Sequence, residues 1–300
     1  MIPRWFTELV ARATATDASP PFSDQSLIDL DAGSRELLAA DGGGADGIGA
    51  AVFNAVEFEL VIDPDARRQG HGAALLERVL ASEAAPSLAW SHGDHPGARA
   101  LAARFGFRPI RTLLQLHATL TPEVAVPSLI PQMQEFFELS PRDAHESASG
   151  TPTLLHFATF RAGVDDAAWL DLNARAFAEH PEQGTLTQRD LDARRAESWF
   201  DADDFLLLFA GEQLVGSNWL KIDPAEPAIG EIYAICVAPE HQGKGLSRIL
   251  MDAGLARLRK RGVTTAALYV EADNESALAL YERYGFTRHT IDVQYSRARS

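Results

Sequence analysis

Two copies of a glycine-containing motif give the first chemical signal in this sequence of 300 residues. The stretch VAPEHQGKGLSRILMD, residues 237–252, has a looser copy, IDPDARRQGHGAALLE, at residues 62–77. Glycines between a predicted strand and a predicted helix let the backbone approach a ligand, and the helix start offers unpaired N–H groups and positive charge. Lys244 would add a further charge. The pattern predicts an anion-binding turn, for which a plain turn is the alternative.

Glu231 is a second candidate for chemistry because a carboxylate can accept a proton from an amine. An ammonium group must lose a proton before it can attack an acyl group, and a carboxylate beside the acyl site takes that proton directly or through water. Glu231 lies six residues before Val237, at the end of a predicted strand far from the glycines. The alternative is a carboxylate in solvent at the edge of a sheet.

The elements that must position these residues are clearest in the second half of the chain. The segment 165–181 predicts an amphipathic helix that ends before Pro181. Two strands joined at the Gly211–Glu212 turn follow, and a third strand is predicted at 230–239. The helix beginning in QGKGLS, the strand TAALYVEAD and the helix NESALALYERYGF complete this half. The pattern predicts an α/β fold with a mixed sheet.

Composition limits the class of protein. The chain is 46% hydrophobic, which is ample for a packed core, and its length favours two domains. A net charge of −15 argues against a nucleic-acid partner, because such a chain repels a phosphate backbone. No stretch approaches the roughly 18 apolar residues of a membrane span, so we expect a cytoplasmic protein with no membrane partner. We also expect the protein to be a monomer.

Cysteine usage narrows the chemistry further. Cys236 is the only cysteine, so the chain has no intrachain disulfide and no cysteine metal cluster, and we expect no metal. Cys236 lies in the apolar run IYAICV, which favours a small buried core residue over a reactive thiol.

Two structured halves are predicted on either side of a stretch of different character. Residues 121–153 contain five prolines and only short apolar runs, which favours a connection. We place an N-terminal domain at 1–140, a linker at 141–152 and a C-terminal domain at 153–300. The glycine-rich segment at 41–51 lacks the order of a dinucleotide-binding fingerprint and predicts a hairpin loop.

The motifs resemble those of the GNAT superfamily of acyl-coenzyme A-dependent N-acyltransferases. The superfamily motif consists of Gln or Arg, any two residues, Gly, any one residue, and then Gly or Ala. Residues 67–72 match this motif, and residues 242–247 match it except at the last position, where Ser247 replaces Gly or Ala with another small residue. LYVEADNESALALYERYGF, residues 268–286, is similar to its closing strand, Asn-led helix and Tyr-x-x-x-Gly-Phe ending. The resemblance implies two tandem GNAT-type domains, with the coenzyme pyrophosphate on the loop and the pantetheine arm between splayed strands.

The two halves differ at the position of the general acid. Aligning their Gly-Phe pairs sets Ala102 opposite Tyr281 and His95 opposite Asn274. In GNAT enzymes this tyrosine usually protonates the coenzyme thiolate as it leaves, so the resemblance implies Tyr281 as a catalytic residue, beside Glu231 as the candidate base argued above. It also implies a catalytic C-terminal domain and a degenerate N-terminal domain kept for structure or for binding. The alternative for Tyr281 is a ring packed in the core.

A closer resemblance is to a tandem-domain branch of this superfamily, through HPEQG at 180–184, WLKI at 219–222, GEIYAICVAP at 230–239 and LYVEADN at 268–274. Members of that branch acetylate the cysteinyl amine of cysteinyl-glucosaminyl-inositol, a small molecule, with acetyl-coenzyme A as cosubstrate. The acceptor positions that the resemblance implies are Asp24, Glu182, Lys221, Glu231 and Tyr269.

The same resemblance implies two sets of coenzyme positions. In the C-terminal domain they are Ile235, Cys236, Val237, Gln242, Gly243, Lys244, Gly245, Leu246, Ser247, Arg248, Asn274, Glu275, Ser276, Ala277, Leu278 and Ala279. In the N-terminal domain a second acetyl-coenzyme A site, without evident turnover, is implied at Leu60, Val61, Ile62, Arg67, Arg68, Gln69, Gly70, His71 and Gly72.

Two other functions stay open from the sequence. One is acetylation of a different amine, such as a protein N-terminus, an aminoglycoside or a polyamine. The other is a non-catalytic protein that senses acetyl-coenzyme A. The acidic composition would tolerate a cationic acceptor, but that function leaves HPEQG unexplained, and Glu231 with Tyr281 argues against a sensor.

Overall fold

The computed structural model describes residues 2–40, 47–121, 155–178 and 183–298, which form two compact units. The first unit comprises Met1–Gln115, Val270–Glu275 and Arg288–Ser300, and the second comprises Leu116–Tyr269 and Ser276–Thr287. The linker predicted at 141–152 and most of the loop predicted at 41–51 lie outside the described residues. The predicted domain limits stay a prediction.

The described helices and strands are numbered here in chain order. The helices are α1 (Arg4–Asp17), α2 (Asp24–Asp31), α3 (His71–Leu80), α4 (Pro96–Phe105), α5 (Asp166–Ala176), α6 (Gln188–Arg195), α7 (Leu246–Lys260) and α8 (Glu275–Arg283). The strands are β1 (Glu36–Ala40), β2 (Gly49–Phe53), β3 (Glu57–Ile62), β4 (Leu88–Ser91), β5 (Arg108–Thr119), β6 (Leu155–Thr159), β7 (Phe205–Ala210), β8 (Gln213–Lys221), β9 (Ile229–Val237), β10 (Thr265–Glu271) and β11 (Thr287–Ser296).

The two units share one plan of strand connections. In the first unit β1, β2 and β3 are antiparallel neighbours, and β4 lies parallel to β3. In the second unit β7, β8 and β9 are antiparallel neighbours, and β10 lies parallel to β9. A helix connects each parallel pair, α3 in the first unit and α7 in the second. The predicted α/β fold with a mixed sheet is confirmed.

Each unit continues its sheet with one more antiparallel strand. In the first unit β11 pairs with β4, with Val293 opposite Ser91. In the second unit β6 pairs with β7, with Phe157 opposite Leu208. The last strand of the chain therefore belongs mainly to the first unit.

The strands of the second unit are buried on both faces, as β7 illustrates. Phe205 and Leu207 pack with Trp169 and Trp219 on one face, while the alternate residues of β7 pack against α7 on the other. The rings of Trp169 and Trp219 are in edge contact, with centroids 5.4 Å apart. Trp219 is on β8, so this aromatic layer supports the strands that carry the candidate site.

The elements predicted for the second half are confirmed, with ends that differ by a few residues. The helix predicted in 165–181 spans Asp166–Ala176, and the helix after the glycines spans Leu246–Lys260. No helix within the described residues is long and apolar enough to cross a membrane.

Candidate active site

The turn between β9 and α7 has the backbone that the glycine motif predicts. Gly243 has φ +75° and Gly245, at the N-cap of α7, has φ +83°. A side chain at either position would meet no atom within 4 Å, so the left-handed backbone rather than crowding requires glycine. The first N–H groups of α7 lack carbonyl partners inside the helix, which suits an anion at this end.

The first residue of the motif has a structural role that is the same in both units. The Gln242 Nε2 donates to the Val237 carbonyl at 3.3 Å, and the Arg67 Nε donates to the Ile62 carbonyl at 3.0 Å. Each contact ties the turn to the end of the strand that precedes it. The guanidinium of Arg67 also pairs with Asp17 at 2.7 Å.

The strands β9 and β10 part before they end. Their parallel pairing reaches Ile232 opposite Leu268, whereas β9 continues to Val237 and β10 continues to Glu271. The separation begins at the level of Ile232 and lies on the side of the glycine turn. The resemblance implies the pantetheine arm at this level of the sheet.

An irregularity in the β8–β9 pairing lies at the same level. Trp219 is opposite Ala234, but the next residue, Leu220, is opposite Ile232. Tyr233 is therefore an extra residue on β9, as in a β-bulge, which bends the strand locally. The bend lies at the level at which the pairing of β9 with β10 ends.

Three of the predicted acceptor residues lie together beside this opening. Glu231 is directly opposite Lys221 on β8 and Ala267 on β10. Side chains of directly paired residues point to the same face of a sheet, and Tyr269 follows Ala267 by two residues on that face. Tyr269 is 41% exposed, and Glu231 and Lys221 are half-buried. The structure thus brings together a carboxylate, an ammonium group and a phenol.

Tyr281 is in the protonation state that a general acid requires. Its side chain on α8 is buried, with its ring centroid 5.9 Å from that of Phe286. Burial raises the pKa of Tyr281 to about 12, so the phenol keeps its proton at neutral pH. The Tyr281 side chain thus packs as a core residue does, and it also carries the proton that a general acid donates.

Three residues on this face were not singled out from the sequence. Arg194 of α6 donates from Nε to the Tyr233 hydroxyl at 2.9 Å, and the Lys221 ammonium lies 5.5 Å from the ring centroid of Trp199. The rings of Trp199 and Tyr233 are 5.1 Å apart. Strand alternation from Glu231 could have identified Tyr233, but no local pattern connects Arg194 or Trp199 to β9.

The first unit contains a cavity of about 510 Å³ among β3, β4, α3 and α4. Predicted coenzyme residues that line it are Leu60, Val61, Ile62, Arg67, Arg68, Gly70 and Gly72. Ala102, aligned with Tyr281, lines it without a phenol. Trp90, aligned with Tyr269, is covered by the Arg111 guanidinium at 5.3 Å and stacks with His92 at 6.3 Å. The first unit therefore has a cleft at its own copy of the motif, without the candidate acid.

The remaining predicted residues have these positions. Asp24 is the first residue of α2 in the first unit, and Glu182 lies outside the described residues. Asn274 precedes α8, and Glu275, Ser276, Ala277, Leu278 and Ala279 form its first turns. Lys244, Leu246, Ser247 and Arg248 lie at the start of α7, Ile235 lies on β9, and Gln69 and His71 lie at the start of α3. Cys236 is buried, as predicted, and burial raises the pKa of its thiol to about 11.

Metal ligands form no cluster in the part of the chain that the structure describes. No group of three or more His, Cys, Asp or Glu side chains there could hold a metal ion.

The parting of β9 from β10 beside a glycine turn is the arrangement of a GNAT acetyltransferase. Residues 167–286 match the Acetyltransferase (GNAT) family. The fold is similar to the tandem GNAT protein from the clavulanic acid biosynthesis pathway, with a TM-score of 0.65 and 19% identity over 99% of this chain and 95% of that one. It is also similar to a GCN5-related N-acetyltransferase from Sphaerobacter thermophilus, with a TM-score of 0.65 and 18% identity over 98% and 91% of the chains.

Sequence relatives show to which family of GNAT acetyltransferases the chain belongs. The chain is 42% identical to the mycothiol acetyltransferase of Geodermatophilus obscurus over 97% of this chain and 92% of that protein. It is 40% identical to the mycothiol acetyltransferase of Streptomyces coelicolor over 96% and 89%. The chain therefore belongs to the mycothiol acetyltransferase family. It is an acyltransferase enzyme, which confirms the resemblance stated from its motifs.

Proposed function

We propose that the second unit transfers the acetyl group of acetyl-coenzyme A to the cysteinyl amine of cysteinyl-glucosaminyl-inositol, which gives mycothiol. The observation that carries the proposal is the position of Glu231, opposite Lys221 and Ala267 where β9 and β10 begin to part. The names of the full-length relatives support the acceptor. In this proposal the enzyme is a cytoplasmic monomer that acts on a small molecule without a metal.

The proposed reaction takes two protons from the attacking nitrogen and gives one proton to the leaving sulfur. Glu231 takes a proton from the cysteinyl ammonium, and the free amine forms a C–N bond with the thioester carbonyl carbon. The tetrahedral intermediate then re-forms its carbonyl as the C–S bond breaks, and Tyr281 gives its proton to the departing coenzyme thiolate. The nitrogen loses its second proton as the amide forms, and a proton of this kind returns Tyr281 to the phenol through solvent. Lys221 and Tyr269 hold the acceptor beside Glu231, and the resemblance adds Glu182 as a further acceptor contact. The turn at Gln242 to Arg248 and the start of α8 hold the coenzyme.

The first unit in this proposal binds coenzyme without turnover. Its cavity is lined by the second copy of the motif, but Ala102 supplies no proton at the place of the general acid. Binding there would stabilise the folded first unit by mass action.

The acceptor assignment is tested by an assay with a panel of amines. Purified protein is given acetyl-coenzyme A with cysteinyl-glucosaminyl-inositol, an aminoglycoside, a polyamine or an N-terminal peptide, and free coenzyme A thiol is measured. We expect the cysteinyl acceptor to give the highest kcat/KM. Preference for another amine would replace the acceptor, and coenzyme binding without turnover of any amine would favour a sensor.

Replacing Gly245 tests which glycine turn serves catalysis. Gly245→Val is expected to raise the KM for acetyl-coenzyme A by on the order of 10- to 100-fold, the effect of losing a hydrogen bond to a charged group. Valine is strained at φ +83°, so the turn shifts its N–H groups, while the open space around the position lets the protein stay folded. Initial rates against coenzyme concentration measure the change.

Gly70→Val is the matched control. Gly70 has φ +91°, and a side chain at this position would likewise meet no atom within 4 Å, so the local strain is equivalent. We expect turnover to stay nearly unchanged. A large loss in Gly70→Val with none in Gly245→Val would move catalysis to the first unit.

A further inference from the structure

The Tyr284 side chain connects the end of α8 with the first two turns of α7. Its hydroxyl donates to a carboxylate oxygen of Asp252 at 2.8 Å and lies 3.2 Å from the carbonyl oxygen of Arg248. Both partners belong to α7, which begins at the glycine turn, and Arg248 is one of the predicted coenzyme positions. A hydrogen bond to a carboxylate is stronger than one between neutral groups, so this contact holds the two helices together at the coenzyme end of α7.

Tyr284 is also joined to the candidate acid through the backbone. Its N–H donates to the Tyr281 carbonyl at 3.0 Å, and the N–H of Phe286 donates to the same carbonyl at 3.1 Å. Gly285, between these two donors, has φ +79°, which is the left-handed conformation that commonly closes a helix. The helix end therefore keeps Tyr281 and Tyr284 in one short segment of fixed backbone.

The Tyr281 hydroxyl has no polar contact of its own that would fix it. In the part of the chain that the structure describes, no group donates to it or accepts from it, and burial is the single cause of its raised pKa. Packing holds the ring, with the Phe286 ring centroid 5.9 Å away. A general acid must lie within hydrogen-bond reach of the atom that it protonates. The place of this hydroxyl therefore depends on where α8 sets the ring.

The first unit shows that this kind of helix end forms without the second hydroxyl. The alignment that sets Ala102 opposite Tyr281 sets Phe105 opposite Tyr284. The helix α4 nevertheless ends with the same backbone contact, in which the N–H of Phe107 donates to the Ala102 carbonyl at 2.8 Å. The unit that lacks the acid thus also lacks the hydroxyl that ties its helix to the neighbouring one, whereas the helix end is common to both units.

We propose that Tyr284 is a positioning residue for the general acid: its hydroxyl holds the end of α8 against the start of α7, and so fixes the Tyr281 hydroxyl relative to coenzyme on the glycine turn. The proposal rests on the function proposed above, in which Tyr281 protonates the leaving thiolate. Tyr284 acts through Tyr281 and gives no proton to the thiolate. Because a displacement of about 1 Å in a reacting group can cost on the order of 10²-fold in rate, a contact that sets the place of α8 affects kcat.

Tyr284→Phe tests the proposal, because it removes the hydroxyl and keeps a ring of the kind that the first unit has at this position. We expect kcat to fall on the order of 10-fold, as for a partly misplaced acid. The KM for acetyl-coenzyme A should stay within about twofold of wild type, because the glycine turn keeps the contact of Gln242 with the strand end. Asp252→Ala removes the partner and should give the same deficit. Asp252→Asn keeps an oxygen that accepts the hydrogen bond, and it should restore most of the rate.

A double-mutant cycle with Tyr281→Phe separates positioning of the acid from a general loss of structure. If Tyr284 acts through the Tyr281 hydroxyl, Tyr284→Phe should cost nothing further in the Tyr281→Phe enzyme, so the two deficits in kcat do not add. A weakened fold would instead lower kcat by the same factor in both backgrounds. Glu282→Gln is the matched control, because Glu282 is exposed and lies between the two tyrosines in the sequence, and it should leave kcat unchanged. Circular dichroism and urea unfolding check that each variant is folded.

The outcomes distinguish this proposal from the one on which it rests. Tyr284→Phe with the wild-type kcat, or with an equal deficit in the Tyr281→Phe background, overturns positioning by Tyr284 and leaves the proposed acid in place. A raised KM for acetyl-coenzyme A with kcat unchanged also overturns it, because the hydroxyl would then hold the coenzyme turn and not the acid. Tyr281→Phe with the wild-type kcat overturns the acid of the proposed function and this proposal with it. The cycle is measured with the amine that gives the highest kcat/KM in the panel, so that another acceptor would replace the acceptor alone.

Discussion

Glu231→Gln is expected to lower turnover of the cysteinyl acceptor by about 10²–10⁴-fold at neutral pH, the range that general base catalysis supplies. Glutamine has nearly the shape of glutamate, so the cross-strand neighbours Lys221 and Ala267 keep their places and acceptor binding is largely kept. The loss should therefore fall on kcat and leave the KM values close to those of wild type.

The pH dependence of this loss identifies its cause. A cysteinyl α-amine has the pKa of about 7.7–8.0 that is usual for an α-amino group, so above that pH it arrives without needing a base. At pH 7 an amine with this pKa is about one-tenth to one-sixth neutral, so the deficit of Glu231→Gln should shrink by about sixfold to tenfold as pH rises through this range. Rates from pH 6 to 10 measure it, and a variant with the wild-type rate at pH 7 would leave Glu231 as an acceptor contact only.

Tyr281→Phe is the comparison variant for the other end of the reaction. It removes one hydroxyl and leaves a ring that can keep the contact with Phe286. A thiolate is a fairly stable leaving group, so we expect a smaller deficit than that of Glu231→Gln. Because burial raises the pKa of Tyr281 to about 12, wild type keeps this proton across the assay range, and the deficit should not change with pH.

The parts of the site that the sequence predicted are those set by contacts along one strand or one turn. The glycines at 243 and 245 adopt the left-handed backbone that their spacing predicts, and Gln242 returns to the strand end five residues earlier. Glu231 reaches the site because it lies on the same strand as the turn. These positions can be predicted because side chains alternate along a strand with a period of two and because the spacing within the motif is fixed.

The parts that could not be predicted depend on residues far apart in the chain. Tyr233 lies 39 residues from Arg194, and the bulge at Tyr233 arises from the pairing of β8 with β9. His92 lies 33 residues from Glu59 and 200 residues from Asp292, yet the three side chains are in contact. A single sequence carries no signal for such contacts because neither strand alone fixes its neighbour.

The contact of His92 with two carboxylates is a buried charge cluster of the first unit. The His92 Nδ1 lies 3.0 Å from Asp292, and Nε2 lies 3.2 Å from Glu59. The backbone N–H of Gly93 donates to the second Asp292 oxygen at 3.0 Å, and that of Ser23 donates to the second Glu59 oxygen at 3.2 Å. Burial alone would lower the pKa of His92, but the two carboxylates outweigh it and raise the pKa to about 10.

His92→Gln is expected to lower the free energy of unfolding of the first unit by about 3–5 kcal/mol, because it removes the imidazolium that pairs with both buried carboxylates, Glu59 and Asp292. The pKa of His92 is raised from 6.5 to about 10, so the stabilisation is fully present below about pH 6.5 and is lost as pH rises through 10. The difference between wild type and variant should therefore be largest near pH 6 and smallest above pH 10.

Urea unfolding with hydrogen exchange of residues 57–62 and 88–91 measures this difference in the free energy of unfolding. Exposed His289→Gln should change stability by less than about 0.5 kcal/mol, and an equal loss at pH 6 and pH 10 would show that the histidine acts through shape rather than charge.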